Sequence, residues 1–272
     1  MTDDNRSPPA VDCHAHVFLR SLSFAEGRRY TPDYDAPTDD YISHLDRHGL
    51  THGVLVQPSF LGTDNRYLLG ALAAHPDRLR GIAVVPVDIA TADLEALDRS
   101  GIVGLRLNLI GTSVPEFHTP AWRRHLAAVA TLGWQIEIQA EAARLPRILP
   151  TLLDAGVNIV VDHFGKPDPA LGMQDPGFRY LLTTGRLGRV WVKLSGAYRN
   201  GAEVTMQNAI GPLRASFGLE RLLWGSDWPH TQFEDRMDYG LARAALDRWL
   251  PDVADRQIVL GTAPAQLFRF PS

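Results

Sequence analysis

Six residues near the start of the chain, Val11-Asp12-Cys13-His14-Ala15-His16, set two histidines one residue apart inside the apolar frame of a short strand. Alternate residues of a strand share a face, so Asp12, His14 and His16 are expected to project together, with Cys13 turned away, buried and inert. Imidazoles on a buried face are costly unless they are hydrogen-bonded or put to chemical use. Far downstream, Leu222-Leu223-Trp224-Gly225-Ser226-Asp227-Trp228-Pro229-His230 brings a second apolar stretch to an end on a carboxylate. An ionised Asp227 beside several imidazoles could take a proton from water, or share a divalent cation with them. Either chemistry requires the two ends of the chain to meet.

Other strand-like stretches also carry polar groups toward one end. They supply Gln57 and Ser59, Arg106 and Asn108, Glu137 and Gln139, His163 (on the face of Ile159 and Val161), and Lys193 with Ser195. Each has a plainer reading. Arg106 could pair with Glu137 on the next strand, Lys193 and Glu137 could be a structural ion pair, and Asp227 could cap the following turn. Polar groups gathered at the ends of so many strands are harder to explain by packing. His44 and His48 stand four apart, a spacing that can hold zinc, but they lack the glutamate of H-E-x-x-H and are expected on a solvated helix face. His52, His75, His118 and His125 read as turn or surface residues. No G-x-S-x-G elbow is present, which argues against a serine esterase.

These groups need a scaffold. Apolar runs near 11–16, 53–58, 81–86, 103–108, 134–139, 158–163, 190–195 and 222–227 alternate with helical patterns. The helices are expected near 38–49, 65–75, 91–99, 119–132, 143–155, 175–187, 203–217 and 235–249, with Thr38 capping the first and Gly49 ending it. A last helix is expected near 262. The strand spacing, about 30 residues, is that of one strand–helix unit. No glycine-rich phosphate turn follows the first strand, so a single (β/α)8 barrel is expected over 11–272, preceded by a loose tail at 1–10. Active residues of such a barrel sit at the carboxyl ends of its strands.

The chain has 272 residues, 45% of them hydrophobic, and a net charge of −4, which suggests neither nucleic acid nor an anionic membrane as a partner. The lone Cys13 excludes an internal disulfide and suits a reducing compartment. With no signal-like leader and no long apolar run, a cytoplasmic location is expected, with no obligate protein partner evident.

The ordered series V-D-C-H-A-H-V-F, R-Y-T-P, V-L-V-Q-P-S-F-L-G-T-D-N, G-L-R-L-N, V-V-D-H-F-G-K-P, V-W-V-K-L-S-G and L-L-W-G-S-D-W-P-H resembles the amidohydrolase superfamily. More narrowly it is similar to the 2-pyrone-4,6-dicarboxylate lactonase group. The resemblance runs from about residue 11 to the C-terminus. It implies a barrel enzyme that opens a small anionic lactone with water, with Asp227 as general base and His14, His16 and His163 around the carbonyl. It also implies that Tyr30, Ser59, Arg106, Arg199 and His230 contact substrate. Gln139 takes the place of a tyrosine of that group, Thr112 and Lys166 the places of arginines. These positions hold carboxylates there, so the departures bear on the substrate and spare the hydrolytic centre.

Gln139 also stands where metal-dependent relatives place another ligand. That favours a centre needing no cofactor. The alternative is a divalent ion such as zinc on His14, His16 and Asp227. A metal-dependent decarboxylase and a non-catalytic barrel that binds a small acid are the competing functions.

Overall fold

The computed structural model describes residues 9–201 and 203–270; most of the tail expected over 1–10 lies outside the described residues. Eight strands pair in parallel in chain order. They are β1 Val11–Ala15, β2 His52–Val56, β3 Leu79–Ala83, β4 Ile102–Asn108, β5 Gln135–Gln139, β6 Asn158–Val161, β7 Val190–Leu194 and β8 Leu222–Trp224. The connecting helices are α1 Thr38–Arg47, α2 Arg66–Ala74, α3 Thr91–Arg99, α4 Pro120–Thr131, α5 Leu145–Asp154, α6 Pro176–Thr184 and α7 Glu203–Phe217. After β8 come α8 Tyr239–Trp249, α9 Val253–Gln257 and α10 Ala263–Phe268. This is a single (β/α)8 barrel.

The last seam closes beyond β8. The Asp227 N–H donates to the His14 carbonyl at 2.8 Å and the His16 N–H to the Trp228 carbonyl at 2.8 Å. Strand alternation sorts the apolar residues into two layers. Val11, Cys13, Val54, Val56, Ile82, Val160 and Leu223 pack together with Phe268 of α10. Leu55, Leu105, Ile136, Ile138, Ile159, Val161, Val192 and Leu194 pack with the helices.

Several boundaries move for local reasons. Thr38 is the first helical residue of α1, with Pro37 at the N-cap, so it does not cap. Gly49 does take the left-handed conformation expected past a helix end, at φ +67. The third strand ends at Ala83, three residues short of expectation, because the Asn65 side chain takes the Val84 N–H at 3.1 Å. Helix α8 starts at Tyr239, where Asp238 accepts from the Leu241 N–H at 2.8 Å.

The largest departure lies in β1. Between Asp12 and Ala15 its register against β2 slips, so an extra residue is accommodated as a bulge. Asp12, His14 and His16 therefore do not share one face. The Asp12 carboxylate accepts from the Tyr239 hydroxyl of α8 at 2.9 Å and from the Ser226 hydroxyl at 2.6 Å. His14 meets Lys193 and Asp162 instead. Cys13, expected to turn away from the histidines, packs with Val160 and Leu223; it is buried.

Candidate active site

A cavity of about 310 Å³ opens at the carboxyl ends of the strands, within the usual range for small-ligand sites. Of the residues expected to act there, His16, Tyr30, Ser59, Arg106, Gln139, His163, Arg199 and Asp227 line it. His14 lies just beneath, its Nε2 3.8 Å from Asp227 Oδ1. His230 is not a lining residue; it is buried behind Tyr198, its Nδ1 3.2 Å from the Tyr198 hydroxyl. Thr112 stays outside the lining, and Gln57 turns away to hold the carbonyls of Gly62 and Asp64.

Alternation alone does not deliver the two key side chains. His163 and Asp227 both take positive φ, +52 and +62, just past the ends of β6 and β8. His163 therefore leaves the outward face of Ile159 and Val161, where alternation placed it, and enters the cavity. The Asn200 amide supports that turn by donating to the His163 carbonyl at 2.7 Å. The backbone of Gly196, at φ +55, passes close by: a Cβ there would sit 2.7 Å from His163 Nδ1 and 2.9 Å from Asp227 Oδ2.

Asp227 is the centre of the site. Its Oδ2 accepts from the Tyr198 hydroxyl at 2.6 Å and from Arg199 Nε at 2.5 Å. Its Oδ1 has no hydrogen-bond partner and faces His14 Nε2, which has none either. Burial alone would raise the carboxyl; Arg199, with His163 and His14, outweighs it and holds Asp227 well below the usual carboxylate range. Tyr198 carries no motif, and only its place beside Arg199 in the sequence could have pointed to it.

The three imidazoles are fixed from behind. His16 Nδ1 lies 2.7 Å from the Val56 carbonyl, so that nitrogen carries the proton and Nε2 offers a lone pair. His163 Nδ1 meets the Ser195 hydroxyl at 2.9 Å. His14 Nδ1 lies 3.0 Å from Lys193 Nζ. An ammonium has only donors, so a neutral His14 accepts at Nδ1 and carries its proton at Nε2, toward Asp227. Burial lowers all three, His163 to about 3. Burial likewise lowers His230, to about 4.

Activity is accordingly expected to persist below the ordinary histidine range, because burial favours the neutral form of these imidazoles. It should fall as the pH approaches their lowered values, about 4 for His230 and about 3 for His163 among them. A kcat/KM profile checks this; an acid limb near the ordinary histidine value would show that an unburied imidazole governs the rate.

Below the cavity lies an ionic cluster. Lys193 Nζ is 2.6 Å from Glu137 and 3.4 Å from Asp162, all three side chains being 0% exposed. The Lys193–Glu137 pair read from the sequence is therefore present, and Arg106 does not pair with Glu137. Arg106 donates instead to Gln139 Oε1 at 2.5 Å and to the Gln57 carbonyl at 3.2 Å, and its Nε is left without a partner. Asp162, two positions past inward-facing Val160, was legible by alternation but overlooked beside His163. At the rim, Arg29 and Lys166 join Arg106 and Arg199, so four cations and one carboxylate line the cavity. Arg29 stands in the R-Y-T-P segment, from which only Tyr30 was expected at the site.

The remaining histidines mostly correct the surface reading. His44 and His48 stack on Tyr239, at 4.8 and 4.9 Å between ring centroids, so both rest against α8 and are only partly open to solvent. His52 packs on Phe270 at 4.6 Å and His125 is buried on α4.

A protein-family model described as Amidohydrolase matches residues 11–270. The chain belongs to the amidohydrolase family. Among its curated relatives is a 4-sulfomuconolactone hydrolase of Rhizobium radiobacter, 33% identical over 95% of this chain and 89% of that one. Another is a 2-pyrone-4,6-dicarboxylate hydrolase of Comamonas testosteroni, 31% identical over 95% of this chain and 90% of the other. Among solved structures, a probable 2-pyrone-4,6-dicarboxylic acid hydrolase of Acinetobacter baumannii with citric acid bound superposes with a TM-score of 0.94. It is 42% identical, over 96% of this chain and 99% of that one. Within this amidohydrolase barrel no helix among the described residues is long and apolar enough to cross a membrane.

Proposed function

We propose that this amidohydrolase opens a small anionic lactone with water, using Asp227 as general base. The observation that carries the reading is the pair of unpartnered atoms, Asp227 Oδ1 and His14 Nε2, 3.8 Å apart beside a cation-lined cavity. A water between them accepts from His14 Nε2–H and surrenders its proton to Oδ1 as it attacks the carbonyl carbon. His16 offers its Nε2 lone pair to the second water proton. With the Ser195 hydroxyl, 2.9 Å away, assigned as donor to His163 Nδ1, the far N–H of that ring is left to hold the charge that grows on the carbonyl oxygen. When the ring C–O bond breaks, Asp227 returns its proton to the leaving oxygen. Arg199 keeps the carboxyl ionised between turnovers.

Relatives that hydrolyse a sulfomuconolactone and a pyrone dicarboxylate, and one that binds citric acid, support a substrate with more than one negative charge. So does the surplus of cations. Arg106 and Arg199 supply the planar forks that suit carboxylates, with Arg29 and Lys166 farther out. Free, buried Cys13 suits the reducing cytoplasm we assign to the protein.

A divalent ion is the specific alternative, since donor atoms of His14, His16 and Asp227 lie within 4.8 Å of one another. The set does not fit one. His14 points a proton, not a lone pair, at the shared space, and Asp227 is already neutralised by Arg199. The mechanism accordingly runs on hydrogen bonds and fixed charge. A panel of mono- and dianionic lactones, assayed before and after exhaustive chelation, tests both points. Turnover of a dianionic lactone that survives chelation is expected. Tight binding of such acids without hydrolysis, or loss of activity rescued by zinc, would overturn the corresponding part.

Tyr198→Phe should lower kcat about tenfold, the worth of one hydrogen bond to a charged group, with little change in KM. A variant with unchanged kcat would remove Tyr198 from the site's machinery.

A further inference from the structure

Lys193 is the buried group whose presence the mechanism uses only indirectly. It is 0% exposed, rises from β7 into the barrel, and touches three elements at once: Glu137 on β5, Asp162 past β6 and His14 on β1. A simple structural ion pair would need only Glu137. The position of Asp162 shows what the third contact does. Its Oδ1 lies 3.5 Å from the same His14 Nδ1 that Lys193 reaches at 3.0 Å. A carboxylate and an ammonium thus compete for one ring nitrogen, and they demand opposite tautomers. Asp162 alone would draw the proton to Nδ1, freeing the Nε2 lone pair, which is how carboxylate-backed histidines bind metals. Lys193 alone forces acceptance at Nδ1 and puts the proton on Nε2.

We propose that Lys193 is a positioning residue that locks His14 in the Nε2–H tautomer, and that this lock, not a missing ligand, keeps divalent cations out of the centre. The other donors of a cation site are in place: His14, His16 and Asp227 converge, Arg199 occupies Oδ2 of Asp227 and leaves Oδ1 without a partner, and Asp162 backs His14. The lysine supplies a fixed positive charge behind the ring where a metal would supply one in front. The inference rests on this geometry and holds whichever lactone the site takes.

The first test leaves Lys193 and Glu137 untouched. In protein labelled with 15N at histidine, long-range 1H–15N correlations report which ring nitrogen carries the proton, with His14→Gln giving the assignment. Protonation at Nε2 is expected; protonation at Nδ1 would overturn the proposal. The second test exchanges both members of the buried pair, Lys193→Met with Glu137→Gln, which keeps the net charge of the cluster and leaves Asp162 free to accept from His14 Nδ1–H. Folding is checked by circular dichroism. Zinc alone is then titrated by equilibrium dialysis with elemental analysis. The double variant should bind zinc about 10- to 100-fold tighter than the native chain, and adding Asp227→Asn should abolish the gain. Equal zinc binding by the two proteins, or a gain indifferent to Asp227, would refute it. If the double variant does not fold, the tautomer measurement decides alone. Neither readout depends on turnover, so failure here is separable from failure of the hydrolase reading.

Discussion

Asp227→Asn is expected to slow lactone turnover by roughly 10²–10⁴-fold, the span of a general-base contribution. The amide keeps the shape of the side chain and can still lie between Tyr198 and Arg199, but it cannot take a proton from water. The loss should fall on kcat. Of the substrate cations, Arg29, Arg106 and Lys166 do not touch Asp227, and Arg199 can still donate to the amide oxygen of the variant, so KM should stay within a fewfold of its native value. Because the carboxyl is held well below its ordinary range, the native enzyme should keep its base ionised through the pH range where free carboxylates titrate. Steady-state kinetics on matched preparations checks this; turnover within a fewfold of native would move the base elsewhere.

Gly196→Ala is the second variant with a large expected effect, although the substitution adds a single methyl. The residue lies at φ +55, where a Cβ costs roughly 1–2 kcal/mol. The methyl would meet His163 Nδ1 at 2.7 Å and Asp227 Oδ2 at 2.9 Å, closer than carbon tolerates. Relief requires shifting the base or the imidazole by a few tenths of an ångström or more. Misplacement on that scale can cost on the order of 10² in rate. The expected result is a folded barrel with native circular dichroism and about a hundredfold lower kcat. Gly188→Ala is the matched control: its φ of +73 is equally left-handed, but its Cβ would meet nothing within 4 Å. A control as inactive as Gly196→Ala would show that backbone strain, and not crowding of the base, is responsible.

The barrel was legible because its period survives in the apolar runs, and alternation correctly turned Arg106, Glu137 and Lys193 inward. The site was legible in membership and less so in geometry. His163 and Asp227 reach the cavity through left-handed turns at non-glycine residues, which no hydropathy pattern announces. The bulge in β1 is likewise silent in composition, and it reverses the expected facing of Asp12. Tyr198 and Arg29 act through tertiary contacts made only when distant loops assemble. His44 and His48 seemed exposed because the aromatic ring they cover arrives with α8, nearly two hundred residues later.

The seam between the first and last strands has a consequence for how the molecule comes into being. Asp12 grips Ser226 across 214 positions of sequence, and the base and its imidazoles stand on either side of that join. Bringing such distant segments together carries a loop-closure entropy that short-range contacts do not, and ensembles dominated by non-local pairings fold slowly. On the ribosome the catalytic centre cannot begin to assemble until the eighth strand has emerged, so nascent chains of nearly every length are inert.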